Sequence, residues 1–184
     1  MSCKEYWKRK TLIIGEVNSG KTERTLKILR DLIRCRKDPI AVLDLAPEKI
    51  RGVGGKLPLS AQEKERVLFF SPEIVPPRLS GKNEEEINAF ARGNCQRIEE
   101  SLRALRGKAL ECLVVNDVSL YLHAGSTKQL MVFVGGISTL VINGYYGHYF
   151  GDSILSRREH EQMEILMSYC DPIFFLPALS PISR

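Results

Sequence analysis

An eight-residue segment at positions 15–22, with the sequence GEVNSGKT, restricts the local fold of this chain more tightly than any other part of its sequence. Residues 11–14 before it form an apolar run that predicts a buried strand. From Lys21 to about Cys35, leucine and isoleucine recur at helical spacing, which predicts an amphipathic helix. The segment itself matches the pattern G-x-x-x-x-G-K-[ST], in which glycines allow backbone N–H groups to point at phosphate oxygens. The sequence therefore predicts a strand, a phosphate-binding loop and a helix in direct succession.

The side chains of this loop predict that it binds a nucleotide together with a magnesium ion. Lys21 supplies a positive charge to the β- and γ-phosphates, and the Thr22 hydroxyl is suited to the Mg²⁺ coordination shell. The helix that begins at Lys21 directs the positive end of its dipole at the same phosphates. The candidate nucleotide-binding residues are Gly15, Glu16, Val17, Asn18, Ser19, Gly20, Lys21, Thr22 and Glu23. Lys21 is also a candidate catalytic residue, because phosphoryl transfer is catalysed mainly by positioning and charge neutralisation.

An acidic residue that orients the magnesium ion is expected at the end of a neighbouring strand. Residues 112–116 form an apolar run that leads directly into Asp117. We predict that Asp117 is a catalytic residue and, together with Thr22, a metal ligand. The alternative is that Asp117 only caps the following turn. The identity of the catalytic base stays open among Asp44, Glu16 and Asp152.

The rest of the chain alternates apolar strands with amphipathic helices. Strands are predicted over residues 40–45, 67–70, 112–116, 139–143 and 172–176. Helices are predicted from Asn83 to about Arg106, from Ser126 to the Gly135-Gly136 pair, and onward from a cap formed by Ser156 and Glu159. This order predicts an α/β fold of three layers, in which a mostly parallel central sheet carries helices on both faces. The loops at the carboxyl ends of the strands are then expected to form the site.

The length of 184 residues is typical of one domain, and we expect residues 1–184 to form a single nucleotide-binding domain. Residues 1–10 contain four basic residues and one acidic residue, and are expected to form a basic N-terminal extension. Residues 46–66 combine prolines, glycines and charges, and are expected to form a mobile loop.

Composition excludes several classes of protein. The longest apolar stretch, residues 130–142, is interrupted by glycines and is shorter than the roughly 20 residues that a membrane helix needs. The five cysteines include no Cys-x-x-Cys pair, and no two of the three histidines have the spacing of metal ligands. These features predict a reduced, cytoplasmic protein with no membrane contact. The net charge of +5 is compatible with a nucleic-acid partner, although no basic motif interleaved with aromatic residues supports one.

Residues 11–22 and 113–117 together resemble the phosphate loop and the magnesium-orienting acid of P-loop nucleoside triphosphatases. Roughly 100 residues and at least one strand separate the two motifs, which is similar to the RecA-like branch of that class rather than to the small GTPases. No Asn-Lys-x-Asp motif for guanine recognition is present. The resemblance implies that ATP or GTP is bound with Mg²⁺, and that Lys21, Thr22 and Asp117 have the roles given above.

A looser similarity, to the adenosylcobinamide kinase family, extends over most of the chain. The stretch Asp117-Val118-Ser119-Leu120-Tyr121-Leu122 resembles the Asp-x-Leu-Thr-x-Trp-Leu stretch of that family. Residues 143–147 stand where that family has Asn-Glu-Val-Gly, and residues 171–182 are also similar. Two features differ: residues 45–110 contain no histidine, which that family uses to take up guanylate, and Gly144 replaces the acid of Asn-Glu-Val-Gly. What the resemblance implies for this chain is therefore the nucleotide-binding fold.

Two classes of function follow from the sequence. The first is an enzyme, such as a small-molecule kinase, that binds ATP or GTP with Mg²⁺ and passes the γ-phosphoryl group to a small acceptor or to water. The second is a nucleotide-dependent switch, or an ATPase associated with a protein or nucleic acid, in which nucleotide binding reorders residues 46–66. The choice of nucleotide, the acceptor or protein partner and the oligomeric state stay open at this point.

Overall fold

The computed structural model describes residues 3–49 and 54–178, which form a central sheet with helices on both faces. The strands are β1 (Lys10–Gly15), β2 (Ile40–Asp44), β3 (Leu68–Phe70), β4 (Cys112–Asn116), β5 (Thr139–Tyr145) and β6 (Ile173–Leu176). The helices are α1 (Lys21–Cys35), α2 (Ala61–Glu65), α3 (Pro77–Ser80), α4 (Glu84–Leu105), α5 (Ser119–Leu122), α6 (Thr127–Val134) and α7 (Ile154–Met167). A 3₁₀ turn, Cys3–Glu5, precedes β1.

The strands lie in the order β3-β2-β4-β5-β1-β6, and each neighbouring pair is parallel. The prediction of a mostly parallel sheet is confirmed, and the named strands of the described residues are parallel throughout. β1, which leads into the phosphate loop, lies between β5 and β6. β5 therefore separates β1 from β4, the strand that leads into Asp117. Since all carboxyl ends meet at one edge of a parallel sheet, both motifs lie at that edge.

Two hydrophobic clusters cover the two faces of the sheet. On one face α1 packs against strand residues such as Ile13 and Val42. On the other face α4, α5, α6 and α7 pack against their neighbours Leu12 and Leu43. Successive residues of a strand point to opposite faces, so buried apolar strands supply both clusters. The predicted three-layer α/β fold is confirmed. No helix within residues 3–49 and 54–178 is both long and apolar enough to cross a membrane.

The segment predicted as a mobile loop, residues 46–66, contains packed structure. Leu57 and Leu59 are buried in the cluster around α1. α2 begins at a capping box between Ser60 and Glu63, and Arg30 of α1 pairs with Glu63 at 2.6 Å. Residues 50–53 lie outside the described residues. Residues 57–63 are therefore held against α1, although the prolines and glycines of the segment give it no long element.

Residues 3–9 of the predicted basic extension pack against the rest of the fold. Tyr6 is fully buried in the cluster around α1. The guanidinium of Arg36 lies 3.9 Å from the ring centroid of Trp7. Two aromatic side chains among basic residues thus anchor the segment, a feature that its net charge alone does not indicate.

The last helix and the strand before it have different ends from those predicted. α7 begins after Ser153, whose side chain accepts a hydrogen bond from the Ser156 N–H at 3.1 Å. Ser156 and Glu159, predicted as its cap, therefore lie inside the helix. β5 continues through Gly144 and Tyr145, which the sequence predicts as a loop. The earlier start of α7 places Glu159 on its buried side.

Candidate functional site

The loop between β1 and α1 turns from the sheet edge into the helix within residues 16–20. Asn18 (φ 57°) and Gly20 (φ 85°) adopt the left-handed backbone conformation that such a tight turn requires. Gly15, at the end of β1, approaches β6 closely: a Cβ there would lie 2.2 Å from the carbonyl oxygen of Leu176. The glycines of the motif therefore serve both the turn and the packing of β1 against β6.

The loop closes around the side chain of Lys21. The Lys21 ammonium donates hydrogen bonds to the carbonyls of Gly15, at 3.0 Å, and Glu16, and to the Ser19 hydroxyl at 3.3 Å. Burial lowers the pKa of the ammonium, and the acidic groups of Asp117 and Glu16 oppose this effect. A positive charge thus lies inside the loop at the N-terminus of α1, where the helix dipole also attracts anions.

A cavity of about 590 Å³ opens at the carboxyl edge of the sheet. Its walls come from the phosphate loop and α1, from residues 46–49 and 54–58, from residues 76–79, and from the ends of β4 and β5 with α5 and α7. Lys21, Thr22 and Asp117, which the sequence predicts as one site, line this cavity together. The other predicted nucleotide-binding residues in its lining are Val17, Asn18, Ser19, Gly20 and Glu23. The two that do not line it are Gly15 and Glu16.

Asp117 follows β4 directly and has a left-handed backbone (φ 61°), which aspartate tolerates better than most residues. Its N–H donates to Asn143 Oδ1 at 2.9 Å, which fixes it against the end of β5. Burial raises the pKa of the Asp117 carboxyl to about 7; Glu159 adds to this effect and Lys21 opposes it. The carboxyl is therefore short of compensating positive charge, and a bound cation would favour its ionised form.

The residues at this edge fit a magnesium ion that arrives with a nucleotide. The described residues contain no group of three or more histidine, cysteine, aspartate or glutamate side chains placed to hold a metal ion. The Asp117 carboxylate and the Thr22 hydroxyl line the same cavity, and both are oxygen ligands of the kind that Mg²⁺ prefers. Mg²⁺ usually takes one or two protein oxygens and completes its shell with water and phosphate oxygens. The donor set therefore suits a nucleotide-bound ion rather than a preformed metal centre.

A chain of buried polar side chains joins the ends of β2, β4 and β5 to α1. Asn116 Nδ2 donates to Asp44 Oδ1 at 2.8 Å. Asn143 Nδ2 donates to Asn116 Oδ1 at 2.8 Å and to Thr25 Oγ1 at 2.7 Å. The Thr25 hydroxyl in turn donates to the Lys21 carbonyl at 2.9 Å. We call this series of hydrogen bonds the amide chain below. Its signal in the sequence is the polar residue that follows the apolar residues of each strand.

None of the three candidate catalytic bases lines the cavity. Asp44 is used by the amide chain, and its second carboxylate oxygen accepts from the Leu57 N–H at 2.8 Å. The Glu16 carboxylate accepts from the His148 N–H at 2.5 Å, which ties the phosphate loop to the segment after β5. Asp152 is exposed and pairs with an arginine of α7 at 3.0 Å. The structure thus gives each of the three a hydrogen-bonding role away from the cavity.

A second wall of the cavity is a buried ionic cluster that sequence reasoning missed. Arg78 Nη2 donates to Glu159 Oε2 at 2.5 Å and to Ser156 Oγ at 3.4 Å, and its Nη1 lies 3.1 Å from His123 Nε2. The Arg78 guanidinium lies 4.7 Å from the ring centroid of Phe150. Burial acts to raise the pKa of Glu159, but His123 and Arg78 hold it below its usual value. We call the four hydrogen-bonded side chains, those of Arg78, His123, Ser156 and Glu159, the Arg78 cluster.

Two of the aromatic residues after β5 reach the cavity. Tyr145 and Phe150 pack edge to face with their centroids 5.1 Å apart, and both line it. Tyr146 instead stacks on the His160 ring at 4.3 Å, and Tyr149 is exposed. The cavity therefore offers an aromatic surface beside the Arg78 cluster.

Comparison with known proteins gives a match to solved structures only. No family model and no curated protein matches this chain. A solved structure that matches is described as the crystal structure of the Pyrococcus furiosus Hef helicase domain, with a TM-score of 0.47 and 19% sequence identity. The alignment covers 97% of this chain and 36% of that chain, so this chain spans little more than a third of its length. The assignment of a three-layer α/β fold rests on the strand order and packing described above.

Proposed function

We propose that this chain binds a nucleoside triphosphate, ATP or GTP, with Mg²⁺, and transfers or hydrolyses its terminal phosphoryl group. The observation that carries the proposal is the convergence of Lys21, Thr22 and Asp117 on one cavity at the carboxyl edge of a parallel sheet. The two motifs come from strands that are separated by β5, yet their side chains share that cavity. A glycine-rich turn that matched the pattern by chance would not explain this convergence.

The chemistry of the proposal follows from charge. Backbone N–H groups of the loop and the N-terminus of α1 bind the phosphate oxygens, and the Lys21 ammonium exchanges the loop carbonyls for a phosphate oxygen. Thr22 and Asp117 would hold the magnesium ion, which when bound neutralises charge on the β- and γ-phosphates. Rate enhancement then comes from positioning and charge neutralisation, without a covalent intermediate.

We propose a small-molecule kinase or related phosphotransferase as the form of this activity. The cavity, at about 590 Å³, extends past the loop to Arg78, Phe150 and Glu159, which are no part of the nucleotide motif. Specific small-molecule sites combine apolar or aromatic walls with a few placed polar groups, and this wall has both. A second substrate bound there would share this one cavity with the nucleotide.

A nucleotide-dependent switch is the second candidate function. Gly55 and Lys56 line the cavity, and the Gly55 carbonyl accepts from Asn116 Nδ2 at 3.3 Å. Residues 54–58 therefore touch both the cavity and the amide chain, so a bound nucleotide would contact a segment that another molecule can read. Slow hydrolysis that a protein or nucleic-acid partner accelerates would favour the switch. Transfer of phosphate to a small acceptor would favour the kinase.

The proposal is tested by isothermal titration of Mg-ATP and Mg-GTP into the wild-type chain and into Lys21→Ala. The variant is expected to bind nucleotide at least about tenfold more weakly, because a charge-assisted contact to phosphate is lost. Lys27→Ala is the matched control, since Lys27 is exposed on the same helix and lies outside the cavity. A folded Lys21→Ala protein with unchanged affinity would exclude the phosphate-loop interpretation.

A further inference from the structure

Three segments that are distant in the sequence meet to build the Arg78 cluster. Arg78 comes from α3, His123 follows α5, and Ser156 and Glu159 come from α7. The Arg78 and Glu159 side chains are 14% and 3% exposed, and the His123 side chain is 3% exposed. Arg78, His123 and Glu159 all line the cavity that contains Lys21 and Asp117. The cluster is therefore a built and largely buried part of that cavity.

The hydrogen bonding of this cluster is incomplete. Among the described residues, seven buried side-chain nitrogen or oxygen atoms have no hydrogen-bond partner. Three of the seven belong to this cluster: Arg78 Nε, His123 Nδ1 and Glu159 Oε1, the last of which lies 3.5 Å from His123 Nε2. Buried polar groups in native proteins are nearly always paired, and two nitrogen atoms of this cluster, Arg78 Nε and His123 Nδ1, depart from that pattern beside the cavity.

Fold stability alone does not account for an ion pair in this position. Removing two charges from water is costly, and apolar residues of similar volume often serve a protein interior equally well. The Arg78 cluster lies at the edge of the core, next to the phosphate loop. Burial is the largest effect on both groups, since it lowers the pKa of Lys21 and raises the pKa of Asp117; the Glu159 charge adds to the shift at Asp117 and, after Asp117 and Glu16, opposes the shift at Lys21. The cluster is thus within electrostatic reach of the two residues proposed to handle the phosphates and magnesium.

We propose that Arg78 is a second oxyanion-binding group of this cavity, beside Lys21, and that Glu159 and His123 hold it in position. Its ligand is a phosphate or carboxylate oxyanion, because the planar guanidinium matches the geometry of both. The Phe150 ring packs against the face of the Arg78 guanidinium. An anion would therefore be bound by the N–H groups at the edge of the guanidinium. Arg78 Nε has no hydrogen-bond partner among the described residues.

The oxyanion has two possible sources, the terminal phosphoryl group of the nucleotide or an anionic group on a second substrate. This choice, but not the anion site itself, rests on the proposed function. Both sources place negative charge between Lys21 and Arg78, where charge develops during phosphoryl transfer.

The experiment titrates Mg-ADP and Mg-AMP-PNP, or the guanine equivalents, into the wild-type chain and into Arg78→Lys. If Arg78 binds the terminal phosphoryl group, the variant loses about tenfold or more of the preference for the triphosphate analogue over the diphosphate. If Arg78 binds an oxyanion of the second substrate, that preference is kept. Orthophosphate titrated into the complex with Mg-AMP-PNP then binds about tenfold or more weakly to the variant.

Two further variants of the chain make the test decisive. The double variant Arg78→Gln with Glu159→Gln removes both charges of the buried pair, so that neither is left uncompensated and the fold is spared. Arg157→Lys is the matched control, because Arg157 lies on the same helix as Glu159 but is exposed and outside the cavity. Circular dichroism and thermal unfolding establish that each variant is folded.

Folded Arg78 variants that match the wild type in triphosphate preference and in orthophosphate affinity would overturn the inference. A wild-type chain with neither a triphosphate preference nor orthophosphate binding would overturn it equally. If the wild type binds neither Mg-nucleotide, it is the proposed function that fails. Orthophosphate titration of the chain alone then still tests Arg78, because that measurement needs no nucleotide.

Discussion

The Asp117 carboxyl lines the cavity and is partly buried; burial, together with the charges of Glu159 and Asp44, raises its pKa to about 7 from an ordinary value of 3.8. The folded pKa therefore lies above the unfolded one, so the unfolded chain releases this proton first. Stability is lost as the pH rises from about 4 to about 7, and the full cost of the ionised group remains above that window. A bound cation would remove that cost.

We expect Asp117→Asn to stabilise the protein at pH 8 when magnesium and nucleotide are left out. The neutral amide has nearly the shape of the carboxyl and carries no charge to desolvate, so the gain in unfolding free energy is on the order of 3 kcal/mol. At pH 4 the gain should nearly disappear. Urea denaturation of both proteins at the two pH values measures the difference. An equal gain in unfolding free energy at both pH values would show that the charge of Asp117 does not destabilise the folded protein.

The same substitution should have the opposite effect on catalysis. Loss of the carboxylate removes a proposed magnesium ligand, so we expect Mg²⁺-dependent turnover to fall on the order of a hundredfold. Nucleotide affinity measured with EDTA should change little. Asp152→Asn, an exposed residue outside the cavity, is the control. Equal losses with and without magnesium would point to a purely structural role for Asp117.

The part of the site that could be predicted from the sequence is the part encoded by consecutive residues. The phosphate loop and Asp117 each follow an apolar run directly, so local spacing carries their signal. The Arg78 cluster has no such signal, because Arg78, His123 and Glu159 are brought together only by the packing of α3, α5 and α7. The sequence also allows Asp44 and Glu16 as catalytic bases. The groups that donate hydrogen bonds to their carboxylates are distant in the chain, so local spacing does not reveal them.

At the scale of elements, the segment between β5 and α7 is hydrogen-bonded to the phosphate loop. The Glu16 carboxylate accepts from the His148 N–H, and the Tyr146 N–H donates to the Gly15 carbonyl at 3.1 Å. Gly147 makes the approach possible, because a Cβ at that position would lie 2.3 Å from the Glu16 carboxylate carbon. Two hydrogen bonds thus join the segment after β5 to the phosphate loop.

We expect Gly147→Ala to weaken binding of the Mg-nucleotide by several-fold, because the Glu16 carboxylate must move away from the new Cβ and loses its hydrogen bond from the His148 N–H. Gly136→Ala is the control, since a Cβ at Gly136 meets no atom within 4 Å. Isothermal titration of both variants gives the affinities. Binding by Gly147→Ala that equals the control would show that the loop does not depend on this contact.

Hydrophobic periodicity predicts the strands and the long helices but not the short ones. α2, α3 and α5 have five, four and four residues, too few for a periodic pattern to be visible. The start of α7 was misplaced because Ser156 and Glu159 have the spacing of a capping box, whereas the true cap, Ser153, has a serine at that spacing. Sequence signals of helix starts are short, and a neighbouring serine is enough to move them by one turn.

For the whole molecule, a ligand that binds only the folded state must raise the unfolding temperature. At a nucleotide concentration one hundred times Kd the gain is about 2.7 kcal/mol, which corresponds to roughly 5–10 °C for a chain of this size. We expect this shift with Mg-ATP or Mg-GTP in the wild type, and its loss in Lys21→Ala. Differential scanning fluorimetry measures it, and an absent shift in the wild type at millimolar nucleotide would contradict the proposed function.

The position of β1 between β5 and β6 has a consequence for biosynthesis. Residues 10–15 are synthesised before both of their pairing partners, Thr139–Tyr145 and Ile173–Leu176, which lie far downstream in the chain. The apolar side chains of β1 therefore have no neighbouring strand until residues 139–145 have been made, and exposed apolar segments of this kind make nascent proteins depend on chaperones. A ribosome that stalls before residue 139 releases a chain with the complete phosphate-loop motif and no strand on either side of it.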